Sequence, residues 1–202
     1  MSTGHAEGIE ALFAPAREQL EARLSAYRFL HSLSVADTAQ AMAISYGVHP
    51  QKAWLAGLLH DWDKDLTDEE LLARVKEFDI PLVARLEDMA MLLHAQTGAV
   101  AVARAFPELG GDIIQAIARH TSAAPDMSDL DMVIYVADMI EPLRSQGNLT
   151  SLRASVGKVS LETLFLRSFE MTMDHLIRRH RFIHPDSLEV WNTYIARERA
   201  GN

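Results

Sequence analysis

The segment Ala53-Trp-Leu-Ala-Gly-Leu-Leu-His60-Asp61-Trp62 places an imidazole and a carboxylate side by side at the end of a strongly apolar stretch. Burying an unpaired carboxylate costs free energy, so Asp61 needs a cation, several hydrogen-bond donors or a shifted pKa. A bound metal ion supplies the cation, and neutral imidazole with carboxylate is a ligand pair that suits iron, manganese or zinc. Because an isolated His-Asp pair also arises by chance, the interpretation depends on whether the pattern recurs.

Ionisable groups recur within other apolar helical segments of the chain. Asp138 lies inside Met132-Val-Ile-Tyr-Val-Ala-Asp138-Met-Ile140, and His120 follows Ile113 by seven residues and Ile117 by three, on one helical face. Taken singly, such a histidine is more often a hydrogen-bonded core residue, and Asp138 could pair with an arginine. Several helices that each turn one such group inward are typical of metal sites in helical bundles.

Two further histidines join this set of candidate ligands. His31 follows Arg28 by three residues, which places a cation and a candidate ligand on one helical face. His94 opens a predicted helix whose matching face carries small residues, which would leave room for a ligand or a second metal: Thr97, Gly98, Ala101 and Ala105. The other histidines are predicted to lie outside the site: His5 in the N-terminal segment, His49 in a turn, His184 before Pro185 at a helix start, and His175 and His180 with Arg178, Arg179 and Arg181 on a solvated face.

The hydrophobic periodicity predicts an all-α fold. No segment alternates as a strand does, and no Asn-Gly or Asp-Gly turn marks a hairpin. Three helices are predicted with their end signals: one from an N-cap at Ser34 to Gly47, one from Pro50 through Trp62, and one from a Thr67–Glu70 capping box to about Phe78. Further helices are predicted over Met89–Ala105, Asp112–His120, Leu130–Glu141, Ser151–Arg181 (continuous or broken) and Pro185–Arg199. We expect one helical bundle of eight or nine helices, with residues 1–20 as an extra helix or arm, 21–185 as the main domain and 186–202 as a C-terminal helix packed on it.

Composition narrows the class of protein. The 202 residues are 49% hydrophobic and 23% charged, which is ordinary for a globular domain. The absence of cysteine excludes disulfides, thiolate zinc sites, iron–sulfur clusters and cysteine nucleophiles, and it agrees with a reducing cytoplasm. A net charge of −9 argues against a nucleic-acid partner, and no apolar run is long enough for a membrane span. A phosphorylated small molecule remains compatible, because metals and a few local cations outweigh the overall charge.

Five motifs carry a family resemblance. They are Arg28-Phe-Leu-His31-Ser-Leu-Ser-Val-Ala36, Leu58-Leu-His60-Asp61-Trp-Asp-Lys64, Leu92-Leu-His94-Ala-Gln-Thr-Gly98-Ala99, Ala118-Arg-His120-Thr121 and Tyr135-Val-Ala-Asp138-Met-Ile-Glu141-Pro142-Leu-Arg144. In order and separation they resemble the YqeK family, HD-domain symmetrical hydrolases of diadenosine tetraphosphate, over about residues 20–185.

The resemblance implies a helical HD fold and an enzyme that splits diadenosine tetraphosphate into two ADP. It also implies two divalent metal ions as cofactors, with iron as the expected metal and manganese or another divalent ion as the alternative. It implies one metal held by His31, His60, Asp61 and Asp138, and a second held by His94 and His120 with Asp61 bridging. Asp61 and Lys64 would be catalytic. The residues that would line the substrate phosphates or organise the pocket are Arg28, Lys64, Thr121, Glu141 and Arg144. The partner would be a small-molecule dinucleoside polyphosphate or another nucleotide, without nucleic acid or membrane, and a homodimer is compatible with this interpretation.

The chain departs from the family pattern at three places. Trp62-Asp63 stands where Tyr-Ala is common, Ser122-Ala123 where Thr-Gly is common, and Met139 where tyrosine is usual. No ligand is lost, but the shape and polarity of the nucleotide pocket are altered.

Two alternatives stay open. Another HD phosphohydrolase could act on deoxynucleotides, cyclic dinucleotides or alarmones, although the Gly-Tyr-Pro signature is absent and Lys64-Asp65 stands where alarmone hydrolases favour Glu-Asp. A non-catalytic nucleotide-sensing HD module is the other, although such modules tend to lose ligands.

Overall fold

A computed structural model describes residues 8–83, 86–145 and 149–201 and confirms the all-α fold: this part of the chain contains no strand. The helices are α1 (Phe13–Glu21), α2 (Ala26–Tyr46), α3 (Pro50–Leu59), α4 (Asp68–Glu77), a 3₁₀ segment (Leu86–Leu92), α5 (Leu93–Ala105), α6 (Gly111–Arg119), α7 (Asp129–Ile140), α8 (Thr150–Ser155), α9 (Leu161–Arg178) and α10 (Ser187–Gly201). The helices outnumber the eight or nine expected. His5 and part of the predicted N-terminal arm lie outside the described residues.

Local capping chemistry explains several helix ends, as predicted. Thr67 Oγ1 accepts from the backbone N–H of Glu70, and the Glu70 carboxylate accepts from that of Thr67, which forms the capping box of α4. α2 ends at Gly47 with φ of 72°, a left-handed conformation in which a Cβ is disfavoured. Pro50 opens α3 at the first turn, where its missing N–H leaves no partner unsatisfied.

The predicted start of α2 at Ser34 is wrong. The helix begins at Ala26, because no helix-breaking residue interrupts the stretch before Ser34 and Phe29 already faces the core. Ser34 therefore lies inside the helix, and its hydroxyl donates to Glu141 Oε2 at 2.6 Å. The eight residues added to the helix carry His31 into its buried face.

Two other helices differ from their predicted extents. The segment predicted as one helix from Met89 begins as a 3₁₀ segment, because Met89 adopts non-helical angles (φ −129°, ψ 35°), and the α-helix starts only at Leu93. The segment predicted over Ser151–Arg181 is broken, with Gly157 in a left-handed turn (φ 70°) and Ser160 capping the new helix α9. His94 remains at the start of its helix, as expected.

α3 lies at the centre of the bundle, and this position explains why the C-terminal end of the helix is buried. It packs against α1, α2, α6 and α7, and its residues from Leu55 to Leu59 are all buried. A helix that is apolar around its whole circumference needs such a position. His60 and Asp61 follow directly on this helix and therefore come to lie in the interior.

The outer elements complete the core around this helix. α4 and the 3₁₀ segment share a smaller apolar cluster that includes Leu71, Val75 and Leu86. Val190 and Tyr194 of α10 are fully buried, and the Tyr194 hydroxyl accepts from the backbone N–H of Met127. The division into arm, main domain and C-terminal helix stays a prediction. In the described residues no helix combines the length and apolar character that crossing a membrane requires.

Gly57 permits the closest approach between α2 and α3. A Cβ on Gly57 would lie 2.9 Å from the Ala36 Cα, which is backbone and cannot move aside alone. We expect Gly57→Ala to lower the free energy of unfolding by about 1–2 kcal/mol, because overpacking outweighs the better helix propensity of alanine. Urea denaturation measures this, with Gly111→Ala as the control, since a Cβ there meets nothing within 4 Å. A Gly57→Ala protein as stable as the wild type would contradict this account.

Candidate metal centre

Helices α2, α3, α5, α6 and α7 bring the six predicted ligands together. His31 and Asp138 lie within α2 and α7, and His94 lies at the start of α5. His60 and His120 are the C-cap residues of α3 and α6, where the helix dipole favours a cation. The four histidines and Asp61 are each at most 4% exposed.

One group of ligand atoms surrounds a point between α2, α3 and α7. His31 Nε2 lies 3.0 Å from Asp138 Oδ1 and 3.8 Å from Asp61 Oδ2. His60 Nε2 lies 3.7 Å from Asp138 Oδ1 and 3.5 Å from Asp61 Oδ1. These four side chains converge as a set of two imidazoles and two carboxylates.

A second group shares Asp61 with the first. His94 Nε2 lies 3.1 Å from Asp61 Oδ1, and His120 Nε2 lies 3.6 Å from the same oxygen. The two Nε2 atoms are themselves 3.1 Å apart. In each three-residue group, His31, His60 and Asp61 or Asp61, His94 and His120, all ligand atoms lie within 4.8 Å of one another. Asp61 therefore belongs to both groups.

Each imidazole is oriented through its outer nitrogen. The Nδ1 atoms of His60, His94 and His120 bond the backbone carbonyl three residues earlier, at Gly57, Met91 and Ile117. His31 Nδ1 instead bonds Glu141 Oε1 at 3.1 Å. An Nδ1–H that donates outward leaves the lone pair of Nε2 directed at the centre, which is the tautomer a metal ligand needs.

The inner nitrogens of two histidines test whether a metal fits. The Nε2 atoms of His31 and His60 are buried and find no hydrogen-bond partner among the described residues. With Nδ1 as the donor, each Nε2 lone pair faces carboxylate oxygens at 3.0–3.8 Å, an arrangement that is repulsive without a cation between them. A divalent ion removes that repulsion, and imidazole with carboxylate is a suitable donor set for it.

The charge states of these groups follow from burial and proximity. Burial alone would raise the pKa of Asp61, but His60 and the imidazoles of His120 and His94 hold that pKa well below its usual range. Burial lowers the pKa of His120 to about 4, so it is neutral and able to coordinate near pH 7. Burial opposes protonation of His60 as well, yet Asp61 and Asp138 raise its pKa above the usual value. A proton on His60 therefore competes with a metal.

Lys64 and Arg144 add positive charge beside the ligands. Lys64 Nζ lies 3.2 Å from His94 Nε2 and 3.8 Å from Asp61 Oδ1. It reaches them because the chain after α3 continues in tight turns, with the Lys64 N–H bonded to the Asp61 carbonyl. Arg144 Nη2 donates to Asp138 Oδ1 at 2.7 Å, and this charge helps the neighbouring imidazoles hold the Asp138 pKa well below its usual range despite burial.

A cavity of about 550 Å³ opens onto this centre. Lys64, Arg144 and Thr121 line it together with His94, His120 and Asp138. Its volume lies within the range of small-molecule sites.

Arg28 and Glu141, which were predicted to line the substrate phosphates or to organise the pocket, are not among the described residues that line the cavity. The Arg28 guanidinium lies 4.0 Å from Asp65 Oδ1. Glu141 is buried behind His31, and its carboxylate also accepts from the Ser34 hydroxyl and, at 2.6 Å, from the Leu143 N–H. Glu141 therefore lies where it orients the His31 ring.

Most of the departures from the family pattern lie away from the cavity. Asp63 is buried between Arg23 and Arg74, whose guanidinium nitrogens approach its carboxylate to 3.2 and 2.6 Å, and Arg23 stacks on the Trp62 ring. Ala123 has φ of 59°, which explains why glycine is favoured there. Met139 lines the cavity and alters its surface.

The sequence prediction left out one part of the cavity, the α9 wall, which consists of Met171, Thr172, Asp174, His175, Arg178 and Arg179. Its basic residues are exposed, as expected of a solvated face, but they line the same cavity as the ligands. A signal was present in the sequence: Leu164, Ser168, Met171, His175 and Arg178 follow helical spacing, so the basic cluster continues the core-facing stripe.

Comparisons with known proteins agree on one family. The model of the HD domain matches residues 28–143. Proteins named symmetrical bis(5′-nucleosyl)-tetraphosphatase from Bacillus subtilis (strain 168) and Halalkalibacterium halodurans are both 31% identical, covering 86% and 91% of this chain and 92% and 97% of their own. A solved structure described as a predicted HD superfamily hydrolase involved in NAD metabolism, from Clostridium acetobutylicum, has a TM-score of 0.86 and 31% identity over 92% of this chain and 97% of its own.

Proposed function

This chain belongs to the HD-domain hydrolases, in the group of YqeK-type relatives of symmetrical bis(5′-nucleosyl)-tetraphosphatases, and from that premise we propose that it cleaves diadenosine tetraphosphate into two ADP. The observation that carries the proposal is that the Asp61 carboxylate belongs to two groups of side chains that could hold a metal ion, next to a cavity that His94 and His120 line. Two-metal sites are suited to displacement at phosphorus.

In this proposal His31, His60, Asp61 and Asp138 hold one divalent ion, and His94, His120 and Asp61 hold the other. Iron is the proposed metal, with manganese as the alternative. When bound, the ions supply Lewis-acid stabilisation of phosphoryl charge and a water of lowered pKa.

The chain's own side chains perform the remaining tasks. Lys64 and Arg144 present positive charge at the cavity, where phosphoryl oxygens gain charge during the reaction. Thr121 offers a hydroxyl on the same surface. ADP is a good leaving group and needs little protonation, so the proposed reaction does not require a dedicated general acid. We propose a cytoplasmic enzyme whose substrate is a dinucleoside polyphosphate, without nucleic acid or membrane as partner.

Product analysis tests this function. Protein loaded anaerobically with Fe²⁺, or with Mn²⁺, is incubated with diadenosine tetraphosphate, and the nucleotides are separated by anion-exchange chromatography. We expect ADP as the sole product, two metal ions per chain, and no turnover after chelation. AMP with ATP would show asymmetric cleavage, and either that result or an inactive, fully loaded protein would overturn the proposal.

A further inference from the structure

The α9 wall brings positive charge to a cavity of a protein whose net charge is −9. Two of the arginines that line the cavity are already paired. Arg144 donates to Asp138, and Arg178 Nε lies 2.7 Å from both carboxylate oxygens of Asp174. Arg179 forms no ion pair with any described residue, so its guanidinium is available to an anionic ligand.

The backbone holds Arg179 in place at the end of α9. Its N–H donates to the His175 carbonyl at 3.0 Å, and the N–H of Arg181 returns to the Leu176 carbonyl at 2.9 Å. Between them His180 has φ of 51°, so the chain reverses directly after Arg179. The root of the Arg179 side chain is thereby fixed on the cavity wall.

Stabilisation of the helix dipole does not explain this position. A cation at the C-terminal end of a helix is favourable whichever way it points. Arg181 is also near this end and is exposed, but it is absent from the cavity lining within the described residues. The property that distinguishes Arg179 is that it shares a cavity with the metal centre.

We propose that Arg179 binds a phosphate of the substrate half whose phosphates do not contact the metal ions. This contact would favour the binding of dinucleoside polyphosphates over that of single nucleotides. This inference rests on the proposed function. A guanidinium suits the task, because its planar N–H groups match phosphate oxygens bidentately and it keeps its charge at any physiological pH. In a cavity of about 550 Å³, the α9 wall is a surface on which the second half can lie.

The experiment compares Arg179→Gln with Arg181→Gln, two exposed substitutions of equal charge change. Binding to the metal-loaded protein is measured by calorimetry with ADP and with diadenosine tetraphosphate whose central bridging oxygen is replaced by methylene, which blocks symmetrical cleavage. For Arg179→Gln we expect about tenfold weaker binding of the analogue and about a tenfold higher KM for diadenosine tetraphosphate. The kcat for diadenosine tetraphosphate and the affinity for ADP should each change less than about twofold. Arg181→Gln should behave as the wild type.

Three outcomes would overturn the inference. Equal behaviour of the two variants would show that Arg179 makes no specific contact, and an equal loss of ADP affinity would show that it contacts the metal-bound half. If the wild type binds the analogue but does not cleave diadenosine tetraphosphate, the proposed function fails, while the binding of the analogue to the two variants still tests Arg179. If the wild type does not bind the analogue, the inference about Arg179 fails.

Discussion

Asp61→Asn should reduce turnover of diadenosine tetraphosphate by at least about 10³-fold while leaving the helical content intact. Asparagine keeps the volume of the side chain but removes the charge, and its amide nitrogen cannot coordinate a metal. Because Asp61 belongs to both ligand groups, both proposed metal positions lose the negative charge of its carboxylate at once. Metal-ion catalysis contributes several kcal/mol of transition-state stabilisation, and each ~1.36 kcal/mol corresponds to tenfold in rate.

Metal analysis and circular dichroism accompany the kinetic measurement. The bound metal should fall from two ions per chain to one or none. Asp63→Asn provides a matched control, since Asp63 is also buried but is paired with Arg23 and Arg74 outside the metal centre. It should weaken the fold and keep the metal content. An Asp61→Asn protein with full activity would refute the assignment of the site.

Glu141→Ala is expected to weaken metal binding by about 10–100-fold, although Glu141 lies behind the ligands. Its carboxylate is the partner of His31 Nδ1, and without it the imidazole can rotate or adopt the other tautomer. The Ser34 hydroxyl and the Leu143 N–H lose the same acceptor. We therefore also expect a loss of about 2–4 kcal/mol in the free energy of unfolding, because buried donors are left without partners.

Competition with a chelator measures the metal affinity, and urea denaturation of the metal-free protein measures the stability. Glu141→Gln should lie between the wild type and Glu141→Ala, because its amide oxygen still accepts one hydrogen bond while its NH₂ faces other donors. Glu162→Ala is the control, since Glu162 is half-buried, lies outside the metal centre and pairs with Arg197 at 3.7 Å. Unchanged metal affinity in Glu141→Ala would mean that His31 needs no side-chain support.

Four of the six candidate ligands could be predicted from the residues alone, because each of the four breaks a local pattern. His60, Asp61, His120 and Asp138 interrupt apolar helical stripes, and the cost of burying an ionisable group makes such interruptions informative. The all-α fold was predictable for the same reason, since the 3.6-residue period extends over most of the chain.

Features that depend on distant partners were not predictable from the residues alone. Glu141 meets His31 across 110 positions of sequence, so no local spacing indicates that it orients an imidazole. Arg28 and Arg179 illustrate the same point, because a side chain's charge does not indicate which cavity it faces. The irregular backbone angles of Met89 inside the 3₁₀ segment were not indicated by the local sequence either.

The two ways of orienting the imidazoles differ in how they withstand mutation. Peptide carbonyls hold three of the rings, and every amino acid supplies that carbonyl, so substitutions at Met91 or Ile117 leave the acceptor in place. His31 is held by a side chain that a single codon change can delete. Random mutation in this family should therefore disturb the group that contains His31, through loss of Glu141, far more readily than the group that contains His94 and His120.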